Sequence, residues 1–253
     1  MIDLLRAEVL KLRSTRTALG LLIAAVAVSV IPAILQLSLA PAQTFREEGV
    51  AGMLGAGATV VPLLGLVFGI LSMTNEYRHG TITYSYLVTP RRWQVIAGKL
   101  VVCFVVGVAV LALVGLLLYV TAAIGYRVRG LTLNVGSIAG DDPAETVALI
   151  LLAAGLMASF GVGLGALFRN QPVTVAGTLI WALVVESIVF GLKPVVGQYL
   201  PFSALEQVVS GALRVGPENG VGLSRPEAFL VSLAYIALTS VAAVYLSMRR
   251  DVT

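Results

Sequence analysis

The side chains able to do chemistry in this chain are few enough to take one at a time. Of 253 residues, one is histidine, His79, and one is cysteine, Cys103. A single histidine excludes a His-Glu-x-x-His zinc site, and a lone cysteine provides neither an internal disulfide nor a thiolate metal cluster. No Gly-x-Ser-x-Gly elbow accompanies His79, so a serine nucleophile lacks its usual turn. Gly98-Lys99 is followed by Leu100, with no glycine at the upstream position of a phosphate loop. The expectation is a chain without catalytic residues, bound metal or cofactor of its own.

Two places hold the remaining chemistry. In the first, Asn75-Glu76-Tyr77-Arg78-His79-Gly80-Thr81 leads through Ile82–Val88 to Thr89-Pro90-Arg91-Arg92-Trp93-Gln94 and on to Lys99. Gly80 reads as a helix terminator, because glycine accepts the left-handed backbone. Thr89 with Pro90 reads as a helix start, a hydroxyl cap followed by proline at the first position. Tyr77, Tyr84, Tyr86 and Trp93 suit a membrane boundary. In the second place Glu186 stands inside an apolar run, about 9 Å from its end at 1.5 Å per residue. An acid there faces a bundle interior or a water-filled cavity. It either lines or gates a path, or is a protonated acid hydrogen-bonded between helices.

The elements that must position these groups follow from composition. Hydrophobic residues make up 58% of the chain and charged residues 12%, with a mean hydropathy of +0.96. No soluble core of this size hides so much apolar surface, and the same content excludes disorder. A bilayer core needs about 20 helical residues, and six stretches meet that length: 18–40, 50–74, 100–126, 144–168, 173–192 and 228–247. Continuous apolar runs indicate helices rather than alternating barrel strands. The expected fold is all-α, a polytopic membrane protein with six transmembrane helices in a single domain over 1–253. Ser38-Leu39-Ala40-Pro41-Ala42 imitates a signal cleavage site, but the preceding run is too long for an ordinary signal peptide. Within the spans, Gly65-x-x-x-Gly69 and Gly161-x-Gly163-x-Gly165 signal close helix packing.

Charge orients the bundle. With the N-terminus inside, the inner segments carry 11 Lys and Arg, the outer ones 6, and the inner face has a net charge of +7. That asymmetry places both termini in the cytoplasm. The total of +4 and pI near 9.4 are then a topology signal and an attraction to anionic membrane lipid. No basic stripe with interleaved aromatics appears, so nucleic acid is not expected as a partner.

The flanking segments are also patterned. Residues 1–17 read as an amphipathic interfacial helix: Ile2, Leu5, Val9 and Leu12 recur at helical spacing, while Arg6, Lys11 and Arg13 would reach lipid headgroups. Asp142-Pro143-Ala144-Glu145 resembles a capped start for the fourth span, with Glu145 favoured by the helix dipole. Between spans 5 and 6, Ser203-Ala204-Leu205-Glu206 has capping-box spacing and Gly216-Pro217 would end the helix. Short external helices are therefore expected there, after Pro194 and Pro201.

With these residues in place, the chain resembles the type-2 permease subunits of bacterial ATP-binding-cassette (ABC) exporters. The likeness rests on Glu76-Tyr77-Arg78-His79-Gly80-Thr81-Ile82, then Pro90-Arg91-Arg92 and Gly98-Lys99, similar to that family's "E-x-R-x-G-T … P-x-R … K" pattern between spans 2 and 3. The six spans, the N-terminal helix and the external helices extend it over essentially the whole chain. The resemblance implies a permease in the bacterial cytoplasmic membrane and a separate cytoplasmic ABC ATPase that binds ATP and magnesium. It implies a coupling segment, 75–99, that docks into this partner. Glu76 would brace that segment, Gly80 would permit its turn, and Arg91 and Arg92 would contact the partner or a neighbouring helix. Arg78, Thr81, Pro90 and Lys99 belong to the same pattern. A second permease, identical or not, would face the first, with spans 2 and 5 along the path and the helices near Pro201 closing the outer mouth. The competing readings are a non-transporting membrane assembly or scaffold protein and an ion-driven secondary transporter. The latter usually needs more than one intramembrane charge.

Overall fold

The computed structural model describes residues 2–14, 16–39, 49–89, 91–131, 143–210 and 222–249. All regular elements among them are helical. In chain order they are α1 (Ile2–Ser14), α2 (Arg16–Leu39), α3 (Gly49–Arg78), α4 (Ile82–Val88), α5 (Arg92–Val128) and α6 (Pro143–Phe168). There follow α7 (Gln171–Ile180), a π-helical turn (Trp181–Val185), α8 (Glu186–Leu192), α9 (Pro194–Gly197), α10 (Pro201–Ser210) and α11 (Arg225–Arg249).

Five stretches of helix among the described residues are long and apolar enough to cross a membrane: Thr17–Leu39, Arg92–Val128, Val147–Phe168, Gln171–Leu192 and Arg225–Met248. The sixth expected span, 50–74, falls within α3, whose 30 residues extend about 45 Å at 1.5 Å each. The break expected between spans 4 and 5 is present. Asn170 caps α7 by accepting from the Val173 amide at 3.3 Å, and Pro172 sits in the first turn, where its missing N–H costs nothing.

The core is built around α6, which packs against α3, α5, α10 and α11. Its apolar window is 61% buried, whereas those of Thr17–Leu39 and Gln171–Leu192 are 17% buried. The small residues predicted to bring helices together do so within the chain. A Cβ on Gly69 would lie 2.0 Å from the Ala158 carbonyl oxygen, and one on Gly161 would lie 2.2 Å from that of Leu66. With backbones this close, Leu66, Ile70, Leu156, Met157 and Phe160 form the central cluster, joined by Phe202 and Leu205 from α10 and Ile236 from α11.

Three local expectations are corrected. The first concerns Thr89, which ends α4 rather than starting the next helix; α5 begins at Arg92 with Arg91 as its cap residue and no side-chain cap bond. The second concerns Ser203, which lies inside α10, a helix that begins two residues earlier at Pro201. The third concerns α1, where Glu8 is turned into the protein and buried while Val9 and Leu10 are exposed. Pro90, Asp142 and Gly216-Pro217 lie outside the described residues, as do the side chains of Ile2, Leu12 and Arg13.

The bundle has two distinct ends. The near end carries the turn from α3 through α4 into α5 together with the α6–α7 break, joined by a hydrogen bond from Arg78 Nη1 to Gln171 Oε1 at 3.2 Å. The far end carries α9 and α10, reached by the span that leaves that break.

Candidate functional site

Helical spacing explains the first half of the near-end site. Glu8 and Lys11 are three residues apart on α1 and so share a face. Their partners are Glu76 in the last turn of α3 and Lys99 in the early part of α5. Lys99 Nζ donates to Glu8 Oε2 at 2.6 Å and to Glu76 Oε1 at 2.8 Å, with the Ser72 carbonyl at 3.3 Å. Lys11 Nζ donates to Glu8 Oε1 at 2.8 Å, Glu76 Oε1 at 2.9 Å and Ser85 Oγ at 3.2 Å. Two cations and two carboxylates therefore close a neutral cluster across α1, α3 and α5, with Ser85 bringing α4 into it.

Burial makes the cluster demanding. Glu8 and Lys99 are each 3% exposed and Glu76 is 7% exposed, so each buried charge needs its partner to offset the loss of water. Burial alone would raise the Glu76 carboxyl, but the Lys99 ammonium and the hydrogen bonds from Lys99 and Lys11 outweigh it. The group is held below its ordinary value. Lys11, expected at lipid headgroups, instead spends its ammonium here, because the α1 face that carries Glu8 is turned inward.

A second layer fastens the same turn to the rest of the bundle. The Tyr77 and Tyr86 hydroxyls lie 3.4 Å apart. The Arg92 guanidinium sits 5.2 Å from the Tyr86 ring centre and donates to the Ser247 carbonyl at the end of α11. From the α6–α7 break, Arg169 places its guanidinium 5.0 Å from the Tyr77 ring centre, within the range of a cation–π contact. Its backbone is left-handed, at φ 58°, an uncommon state for a non-glycine residue. Gly80 has φ 69° with open space around it, as its role as terminator requires. Thr81 precedes α4 without a side-chain cap bond and is exposed, as are Arg78 and Arg91.

The structure thus gathers Glu76 and Lys99 into one cluster, holds Arg92 beside it, and leaves Arg78, Thr81 and Arg91 on the surface around it. A profile of the ABC-2 family of transporter proteins matches residues 17–252. This chain belongs to the ABC-2 transporter family. Membership makes it a membrane transport subunit of the kind that associates with an ABC ATPase. The matched stretch contains Glu76, Lys99 and Glu186; Glu8 and Lys11 precede it. No curated protein matches the chain.

At the far end of this ABC-2 transporter protein, Glu186 is 2% exposed and accepts four hydrogen bonds. Oε1 accepts from Trp181 Nε1 at 3.0 Å and the Phe202 amide at 3.1 Å. Oε2 accepts from the Ser203 amide at 2.8 Å and Ser203 Oγ at 3.0 Å. Pro201, buried, opens the helix these amides belong to. Gln207 adds a second tie, donating to the Gln198 and Ser203 carbonyls and accepting from the Leu223 amide at 2.6 Å.

Sequence reasoning missed Glu8, Ser72, Ser85 and Arg169 at the near end, and Trp181, Ser203 and Gln207 as parts of the far-end network. For Glu8 a signal existed in the Glu8-x-x-Lys11 spacing. The others act through contacts between distant segments that no local pattern marks.

Proposed function

We propose that this chain is the membrane-spanning permease subunit of an ATP-driven exporter, coupled at its near end to a separate cytoplasmic ABC ATPase. The observation that carries this reading is the buried Glu8–Lys11–Glu76–Lys99 cluster. A short element that transmits a partner's motion must be rigid relative to the helices it drives. Residues 76–99 are tied by charge to α1, by Arg92 to α11, and by Tyr77 and Arg78 to the α6–α7 turn. A push on α4 would therefore reach the starts or ends of most spans at once.

In this reading α3 supplies the second of six spans, both termini are cytoplasmic, and the membrane is the bacterial cytoplasmic membrane. The chain itself is not an enzyme; ATP and magnesium bind in the partner, whose hydrolysis alternates the permease between inward- and outward-open states. Alternation requires the near end to bind the partner differently in those two states. Two permeases, the same or different, flank the path.

The test is co-expression with an ABC ATPase encoded beside this chain, followed by co-purification in nanodiscs. Arg91 is exposed and Arg92 is engaged inside the protein, so Arg91→Glu is the cleaner probe. Arg91→Glu is expected to reduce ATPase capture and transport-coupled hydrolysis while membrane insertion is unchanged; Arg92→Glu is expected to add a loss of thermal stability. Normal capture and coupled activity in both variants would remove the docking role from this segment.

A further inference from the structure

The span between the two ends is held in an uneven way. Its outward residues are bare: Ile180, Leu183, Val184 and Ile188 are each at least half exposed. Among the buried residues on that span is Glu186, which accepts three hydrogen bonds from α10 and a fourth from Trp181 on its own span. The short helix α10 is itself well seated. Phe202 meets Phe160 of α6 edge to face at 5.7 Å, and Leu205 belongs to the same central cluster.

Each helix start leaves backbone donors without an intrahelical partner. At α10 these are all accounted for. Pro201 has no N–H, the Phe202 and Ser203 amides donate to Glu186, and the Ala204 amide donates to the Leu200 carbonyl at 2.8 Å. Glu186 is thus an N-terminal cap supplied from another element, in the place that Ser203 would fill in a capping box. The indole N–H and the two amides can only donate, and the Ser203 hydroxyl completes the set around the two oxygens.

The π-helical turn makes the arrangement possible. Trp181 and Glu186 are five residues apart, which leaves them about 140° apart around an ordinary α-helix. In Trp181–Val185 the ladder runs one residue wider, and the Glu186 amide donates to the Trp181 carbonyl. The wider turn brings the indole N–H over the carboxylate. Such single π turns recur at functional sites.

We propose that Trp181 and Glu186 are positioning residues of a latch at the far end, which binds the loosely packed span 171–192 to the seated helix α10 so that the two move together. The π turn sets the phase of the latch. Moving the extra residue along the span would rotate Glu186 away from the Phe202 and Ser203 amides and separate span from cap. The latch itself stands on hydrogen bonds; its use in transport rests on the permease reading above.

The test separates the two. First, the chain alone, in nanodiscs, is followed by amide hydrogen exchange in wild type, Glu186→Gln and Trp181→Phe. A glutamine places its NH2 against a backbone amide on either side, so at least one of the bonds to α10 is lost. Exchange across 198–206 is expected to rise roughly tenfold in Glu186→Gln and by less in Trp181→Phe, with peptides from α6 and α5 unchanged. Second, with the ATPase partner bound, Glu186→Gln is expected to keep ATP hydrolysis but lower cargo moved per ATP at least fivefold, and Glu186→Asp to restore part of it. A purely structural cap would lower both in step with protein yield, and that result overturns the latch's role in transport. Unchanged exchange in Glu186→Gln overturns the latch itself. A wild-type chain that moves no cargo with any ATPase would defeat the permease reading while the exchange measurement still decides the latch.

Discussion

Replacing Lys99 with methionine removes the cation that two buried carboxylates share. The side chains are similar in length, so the change is chiefly one of charge. Glu8 and Glu76, 3% and 7% exposed, would then depend on Lys11, whose side chain is 45% exposed and partly in water. Breaking a buried ion pair by removing one partner costs about 3–5 kcal/mol, because the remaining charge is stranded. The exposed partner is worth far less, about 0–1 kcal/mol. Lys99→Met is therefore expected to destabilise the chain by about 3–5 kcal/mol, and Lys11→Met by no more than about 1 kcal/mol. Combining Lys99→Met with Glu8→Gln restores neutrality and should recover a substantial part of the loss, since the stranded carboxylate becomes an uncharged amide and Lys11 is left to pair with Glu76. The assay is denaturant titration in mixed micelles followed by the fluorescence of Trp93 and Trp181. If Lys99→Met cost less than about 1 kcal/mol, or no more than Lys11→Met, the cluster would not be what holds the near end rigid.

Three further outcomes are expected. Gly69→Val forces a side chain into the Ala158 backbone and should cost at least about 1–3 kcal/mol, whereas Gly115→Ala, with open space at its Cβ, should be neutral or stabilising by up to about 1 kcal/mol; melting temperatures of the two variants compare them directly. The Arg225–Glu145 pair at the far end is close, 2.6 Å, but its side chains are 31% and 56% exposed, so Glu145→Gln should change stability by less than about 1 kcal/mol. Glu76 is held below its ordinary value of 4.5, so its contribution is fully present above that pH and fades as the pH falls through the folded value. The stability gap between wild type and Glu76→Gln, measured by melting from pH 7 downward, should accordingly stay constant to about pH 4.5 and narrow only below it; a gap that closes between pH 7 and 5 would contradict the depressed value.

The helices were legible because their signals are local. Long apolar runs, the Asn170–Pro172 break and the left-handed Gly80 each depend on residues within one turn or span, whereas Ile82–Val88 reads in the sequence only as a short crossing piece and its helix is a finding of the fold. The glycine spacings correctly announced close packing, although only the fold shows that Gly69 and Gly161 meet within one chain across α3 and α6. Where local capping rules failed, a distant group had taken the role. Ser203 does not cap α10 because Glu186 reaches its first amides, and Thr89 closes α4 without opening α5. In α1 the spacing gave the helix but not the destination of its charges: Lys11 meets Glu8 and Glu76, and Glu8 meets Lys99 on α5, in place of the headgroup contact expected for Lys11.

The sequence by itself determined the solvent, the helical class and the polar segment 75–99, since these follow from hydropathy, periodicity and charge counted along the chain. It singled out Glu76, Arg78, Arg91, Arg92, Lys99 and Glu186 as the ionisable candidates. Only the tertiary structure decided what each is paired with. Buried charges are settled by partners within about 3 Å, and those partners lie 16 to 91 residues away in Lys99–Glu76, Lys99–Glu8 and Glu186–Phe202. A spacing rule sees one turn of helix; an ion cluster or a borrowed helix cap exists only once the turns have been packed together.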